Sequence, residues 1–345
     1  MHTDTNRKPR PLLKALLAVG ASLFLAAFGL GVYHSILTQA QLPAIHFSPW
    51  SETESPGNDE EYMTVVSQLK LVIALDPNSR FQGYALLGDA HRDSGNYDLG
   101  LAAYKNAIAI RPRRAGPYDS AASLHAQLGQ YEEAIALCSQ AIVLKPDFAD
   151  SYYNRANVYR KQGEVQLALN DLEQAIALMP GRPEPYFIRG EIFNRQGGLA
   201  PAVADYTKAI ELKPDYVEAL AKRAEIYQQA EKHQRALDDY LLVMKLNPDY
   251  PEAYNNVAWL FATCSDARYR DPPRAVGYAT KACELFRWKN YGALDTLAVA
   301  CAENGDFSAA VQWQTKAVEL APAAQKEDLN TRLELYSSGK SYSKQ

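Results

Sequence analysis

Between Lys14 and Lys70 the sequence contains no lysine or arginine. A protein that tracks phosphates carries a basic stripe along its surface. Here the chain's 36 basic and 40 acidic residues, once residues 1–14 are set aside with Arg7, Lys8, Arg10, Lys14 and Asp4, leave 32 against 39. That balance argues against nucleic acid as a partner. No glycine-rich loop follows a strand-like segment, which excludes the usual phosphate cradle, and no stretch alternates apolar and polar residues as a half-buried strand would. Cysteine is scarce: Cys138, Cys264, Cys283 and Cys301 are expected as buried free thiols. None lies just after the apolar N-terminal run, so no lipoprotein-type attachment is expected.

An apolar, charge-free run covers Ala15–Leu37, opening ALLAVGASLFLAAFGLGV. About 20 such residues cross a hydrocarbon core, and the run exceeds the roughly 7–15 residues of a signal-peptide core. The basic residues precede it and the acidic ones follow. The expected topology is therefore a basic cytoplasmic tail (1–14), a transmembrane anchor (15–37) and everything later outside the cytoplasm, periplasmic if bacterial. Cleavage near Ala40, giving a secreted protein, is the alternative. Residues 38–57 hold three prolines and no apolar period, as a tether does.

Most of the remaining chain repeats itself. Pro77, Pro112, Pro146, Pro180, Pro214 and Pro248 are spaced 35, 34, 34, 34 and 34 residues apart, a period that marks stacked supersecondary units. Within one unit Tyr152, Ala156, Tyr159, Gly163, Ala168, Leu172 and Ala175 suit two helices broken at the glycine, with small residues where the helices approach. Each such hairpin cannot bury its own apolar stripe and must be stacked on a copy. After Pro248 the second-helix alanine expected at Gly277 arrives at Ala282, with the extra residues in CSDARYRDPP.

The pattern resembles the tetratricopeptide repeat. Its aromatic, small, aromatic, small, small and proline places are held by Tyr186, Gly190, Phe193, Ala202, Ala209 and Pro214, and again by Tyr118, Ala122, His125, Ala134, Ala141 and Pro146. The resemblance implies an all-α, right-handed superhelical solenoid of helix-turn-helix repeats. Seven units are expected: 81–114, 115–148, 149–182, 183–216, 217–250, 251–290 with the insertion, and 291–322. A half repeat at 58–80 and a C-terminal capping helix and tail at 323–345, with Leu329, Leu333 and Leu335 to pack, close the apolar ends.

In that family the first helix of each unit lines the concave side and carries the ligand contacts. The resemblance assigns this role here to Tyr153, Asn154, Asn157 and Arg160; to Phe187, Glu191 and Asn194; to Lys222, Glu225 and Gln228; and to Asn255, Asn256 and Trp259. Amides and charges offer hydrogen bonds to an extended backbone and the aromatics offer anchors. Some relatives grip a C-terminal carboxylate with a lysine. At that place this chain has Ala85, Asp119, Tyr153, Phe187, Ala221, Asn255 and Asp295, so the clamp is not expected.

No catalytic constellation stands out. His91 and His125 occupy a family aromatic place and point into the stack, with Cys138 in the same unit as His125, but neighbouring units lie roughly 10 Å apart and a metal needs ligands at about 2 Å. No metal or cofactor is expected. The function expected from the sequence is a non-catalytic, membrane-anchored scaffold that holds an unidentified protein or peptide segment. The alternatives are an accessory subunit for a partner enzyme or envelope complex, or a self-assembling structural protein.

Overall fold

A computed structural model describes residues 59–342. The apolar run at 15–37 and the tether lie outside the described residues, and among those described no helix is long and apolar enough to cross a membrane. The described residues form sixteen α-helices, two short 3-10 turns and no strand. By contacts the chain divides into two compact units, residues 1–178 and 179–345.

In the first unit, α1 (Asp59–Leu75) is followed by three hairpins: α2 (Arg80–Asp93) with α3 (Tyr97–Ile110), α4 (Ala115–Gln127) with α5 (Tyr131–Leu144), and α6 (Ala149–Gln162) with α7 (Val165–Leu178). The hairpin turns share one chemistry. Gly95, Gly129 and Gly163 take φ of 81°, 76° and 82°, and the next residue's N–H returns to a carbonyl in the last helical turn, as Glu164 does to Tyr159 at 2.9 Å. A left-handed residue at that point satisfies carbonyls the helix leaves open. Ala156 and Ala168 are fully buried, so the paired helices approach closely. The solitary α1 lays Val65, Val66, Leu69 and Ile73 against Leu87, Ala90 and Ala103, and thereby covers the apolar edge of the first hairpin.

The second unit holds α8 (Pro183–Arg195), α9 (Leu199–Leu212), α10 (Val217–Gln229), α11 (His233–Leu246), α12 (Pro251–Thr263), α13 (Pro272–Leu285), α14 (Tyr291–Glu303), α15 (Phe307–Leu320) and α16 (Lys326–Ser337). The insertion between α12 and α13 is a 3-10 turn at Ala267–Tyr269, and Asp266 and Asp271 cap the two starts through Arg268 N and Arg274 N. The register shift falls where the alanine pattern put it: Ala282 is fully buried, whereas a side chain at Gly277 would meet nothing within 4 Å. The array ends on α16, where Leu329 and Tyr336 are buried. Of the expected leucines Leu329 is buried and Leu335 is half-buried against the core that holds Tyr336, while Leu333 is half-buried; Tyr336 joins them in closing the end.

Candidate functional site

The expected contact residues lie on first helices, but several are already engaged. On α6, Asn154 donates to both oxygens of Asp119 at 3.0 and 3.1 Å, and Asn157 donates to the Tyr153 carbonyl at 3.1 Å. Arg160 and Tyr153 are half-buried. On α8, Phe187 lies 5.8 Å from the Tyr206 ring and 5.0 Å from that of Tyr216, while Glu191 and Asn194 are half-exposed. On α10, Lys222 bridges both oxygens of Glu225 at 3.0 and 2.9 Å. On α12, the Asn255 Oδ1 is buried with no hydrogen-bond partner.

Four of the expected residues converge. Glu225, Gln228, Asn256 and Trp259 line one pocket of about 520 Å³ in the second unit, with Tyr240 from α11 and Glu231 from the α10–α11 turn. Tyr240 organises it: its hydroxyl donates to Gln228 Oε1 at 3.1 Å and accepts from Asn256 Nδ2 at 3.0 Å. Burial raises the Tyr240 pKa, with the Glu225 charge adding to the effect, so the hydroxyl remains a donor. The pocket offers amides, the exposed Glu231 carboxylate beside the Lys222-paired Glu225, and the Trp259 ring, a mixture that suits a polypeptide segment with a basic or aromatic side chain. Glu231 has φ 54°, at the turn place where the other hairpins of even length use glycine.

The first unit has its own concavity, about 610 Å³, lined by Gln82, Asp89, Tyr104, Arg113, Arg114 and Lys145 among others. Its rim is basic and the carboxylate is occupied: Asp89 accepts from Tyr104 Oη at 2.6 Å and pairs with Arg92 at 3.0 Å. None of the thirteen expected residues lines it.

Two features went unread in the sequence. Arg155–Asp171, Arg189–Asp205 and Arg223–Asp239 are two-pronged ion pairs, each joining a first helix to its own second helix at 2.7–2.8 Å. Arg155 also reaches Ser139, and Arg223 reaches Thr207, on the preceding second helix. Their signal was available, since arginine and aspartate recur together with the 34-residue period. The other is a set of inward carboxylates at the supposed clamp place. Asp119 accepts from Ser151 at 2.8 Å, and Asp295 accepts from Gln314 and from Arg332, each at 2.9 Å. These two carboxylates hold helices together and are not free for a ligand.

Among the described residues no group of three or more His, Cys, Asp or Glu could hold a metal. His91 is buried against Tyr62, whose hydroxyl is 2.7 Å from Nδ1. His125 is half-buried and pairs with Gln130. The four cysteines are buried thiols, and burial pushes the Cys138 and Cys283 thiols up to about 12 and Cys301 to about 11, which disfavours the reactive thiolate.

Comparison with known proteins agrees with the geometry. Family models described as TPR repeat match residues 122–163 and 190–231, and models described as tetratricopeptide repeat match 149–181, 81–114 and 291–323. The chain is a tetratricopeptide repeat protein. A search of the curated proteins found no significant match. Among solved structures, the APC/C Cut9–Hcn1 hetero-tetramer is similar over 79% of this chain and 52% of that one, with 14% identity and TM-score 0.55. PilF of Pseudomonas aeruginosa is similar over 74% of this chain and 98% of that one, at 14% identity and TM-score 0.50. These likenesses concern the fold. YrrB, described as a TPR protein with an unusual peptide-binding site, aligns over 67% of this chain and 98% of that one at 18% identity, with TM-score 0.42, too low to carry an argument.

Proposed function

We propose that this chain is a non-catalytic scaffold that docks an extended segment of another protein along its first helices, and that residues 15–37 anchor it in a membrane with the repeats on the extracytoplasmic side. The observation that carries the docking is the convergence of Glu225, Gln228, Asn256 and Trp259 on one pocket, with a donor and an acceptor already organised around Tyr240. An extended backbone has unpaired N–H and C=O groups at every residue, and amide side chains meet both. Trp259 supplies the apolar anchor that such interfaces concentrate their affinity on. The anchoring rests on the charge-free run and the basic residues before it.

The test is proximity labelling from the extracytoplasmic side of intact cells, comparing the parent with Asn256→Ala and Trp259→Ala. Neighbours labelled by the parent and lost from both variants support the reading. Identical neighbours in all three would refute pocket docking, and labelling confined to cytoplasmic proteins would refute the topology.

A further inference from the structure

The described residues that follow α16, as far as Tyr342, fold back against the second unit. Gly339, at φ 71°, turns the chain, with its own N–H donating to the Tyr336 carbonyl and the Lys340 N–H to that of Leu335 at 3.1 Å. The turn brings Ser341 under cover, 7% exposed, and sets the Tyr342 ring 5.8 Å from that of Trp259, inclined by 57°. The Arg332 guanidinium lies 5.6 Å over the Tyr342 ring and is itself held by Asp295 at 2.9 Å. Trp259 thus faces Tyr342 while also lining the pocket of Gln228, Tyr240 and Asn256.

We infer that this segment is an intramolecular occupant of the Trp259 end of the docking site, and that the partner segment which replaces it carries an aromatic side chain beside basic ones. The inference deepens the docking role proposed above and rests on it. Three observations favour this occupant. The segment is already seated on Trp259. Its described residues, GKSY over 339–342, include Lys340 and no acid, and the pocket beside it presents the exposed Glu231 together with Glu225, which is paired with Lys222. The attachment is also slight: Tyr342 remains 39% exposed, and one aromatic pair, one guanidinium over the ring and one buried serine make a contact that a competing segment can displace. Because the occupant is tethered, it competes at an effective concentration that a free segment must exceed.

The test uses the full chain labelled with fluorotryptophan. The chain has four tryptophans, so Trp259→Phe identifies the Trp259 fluorine resonance. The probe is the synthetic heptapeptide GKSYSKQ. Tyr342→Ala is expected to move the Trp259 resonance, and the peptide is expected to return it toward the parent position. The parent should require at least tenfold more peptide for the same occupancy, and a peptide with its tyrosine replaced by alanine should restore nothing. The inference is overturned if Tyr342→Ala leaves the resonance in place, if parent and variant take the peptide equally, or if the peptide fails to restore the signal at millimolar concentration. The two readings fail separately. Loss of every proximity-labelled neighbour from the parent sinks the docking role while the Trp259 shift stands; retained neighbours with no shift sink the occupant alone.

Discussion

Arg189 grips both carboxylate oxygens of Asp205 at 2.8 Å, joining α8 to α9 across the hairpin. The same clasp recurs one period earlier as Arg155–Asp171 and one later as Arg223–Asp239. In the flanking units the equivalent places are apolar: Leu87 with Ala103, Ala121 with Leu137, and Leu297 with Trp313. The chain therefore contains its own comparison between an ionic and an apolar solution to one packing problem.

Removing one partner of a largely buried pair leaves an uncompensated charge, whereas replacing both with apolar groups is often neutral. Arg223→Leu alone is expected to cost about 3 kcal/mol, and Arg223→Leu with Asp239→Leu to fall within ~1 kcal/mol of the parent. Urea unfolding measures both. A double variant as unstable as the single one would mean that the pair holds the hairpin in a way apolar packing does not replace.

Glu231 occupies, at φ 54°, a place that glycine fills in the turns at 95, 129, 163, 197 and 305. A side chain in the left-handed region costs about 1 kcal/mol or more. Glu231→Gly is expected to raise the unfolding free energy by about 1 kcal/mol while weakening binding of the basic GKSYSKQ probe to the Tyr342→Ala chain. A gain in stability with unchanged binding would remove Glu231 from the site.

The first-helix glycine Gly190 shows how closely the hairpins fit. A Cβ there would lie 2.9 Å from the Tyr206 ring and 3.3 Å from the Asp205 Cβ. Overpacking of this kind costs about 1–3 kcal/mol, so Gly190→Ala should lower the melting temperature. The preceding hairpin pairs Ala156 with Leu172, both fully buried, so adding Tyr206→Leu should recover part of the loss. Absence of any recovery would show that Asp205, not the tyrosine, sets the limit.

The architecture was legible because stacking writes itself into the sequence once per unit: the turn glycines, the small Ala156 and Ala168, and the shift from Gly277 to Ala282 each answer to one backbone demand. The site was only partly legible. Position on a first helix selects Asn154 and Lys222 as readily as Asn256, yet Asp119 and Glu225 already occupy the first two. Asp119 holds Asn154 from another helix, Glu225 holds Lys222 from one turn along the same helix, and Tyr240 holds Asn256 at the pocket; these partners differ from unit to unit, and a period cannot reveal them. The return of Tyr342 to Trp259 likewise belongs to no repeat.

His91 should make the first unit sensitive to acid. Burial lowers its pKa, and the Lys70 charge lowers it further, so it is neutral when folded while the unfolded chain takes up a proton near the ordinary value of about 6.5. Its contribution is complete above about pH 6.5 and is lost as the pH falls below it toward the folded value. The melting temperature should drop between about pH 7.5 and about pH 5, and His91→Gln should flatten that slope. Equal slopes in parent and variant would contradict the assignment.

The central claim is that a partner docks along the first helices, and a photo-crosslinking amino acid tests it most directly. Placed at Asn256, inside the pocket, it should give a discrete adduct with a second protein in intact membranes. Placed at Val143, a second-helix position 73% exposed, it should give none. Adducts at Val143 with nothing at Asn256 would contradict the account.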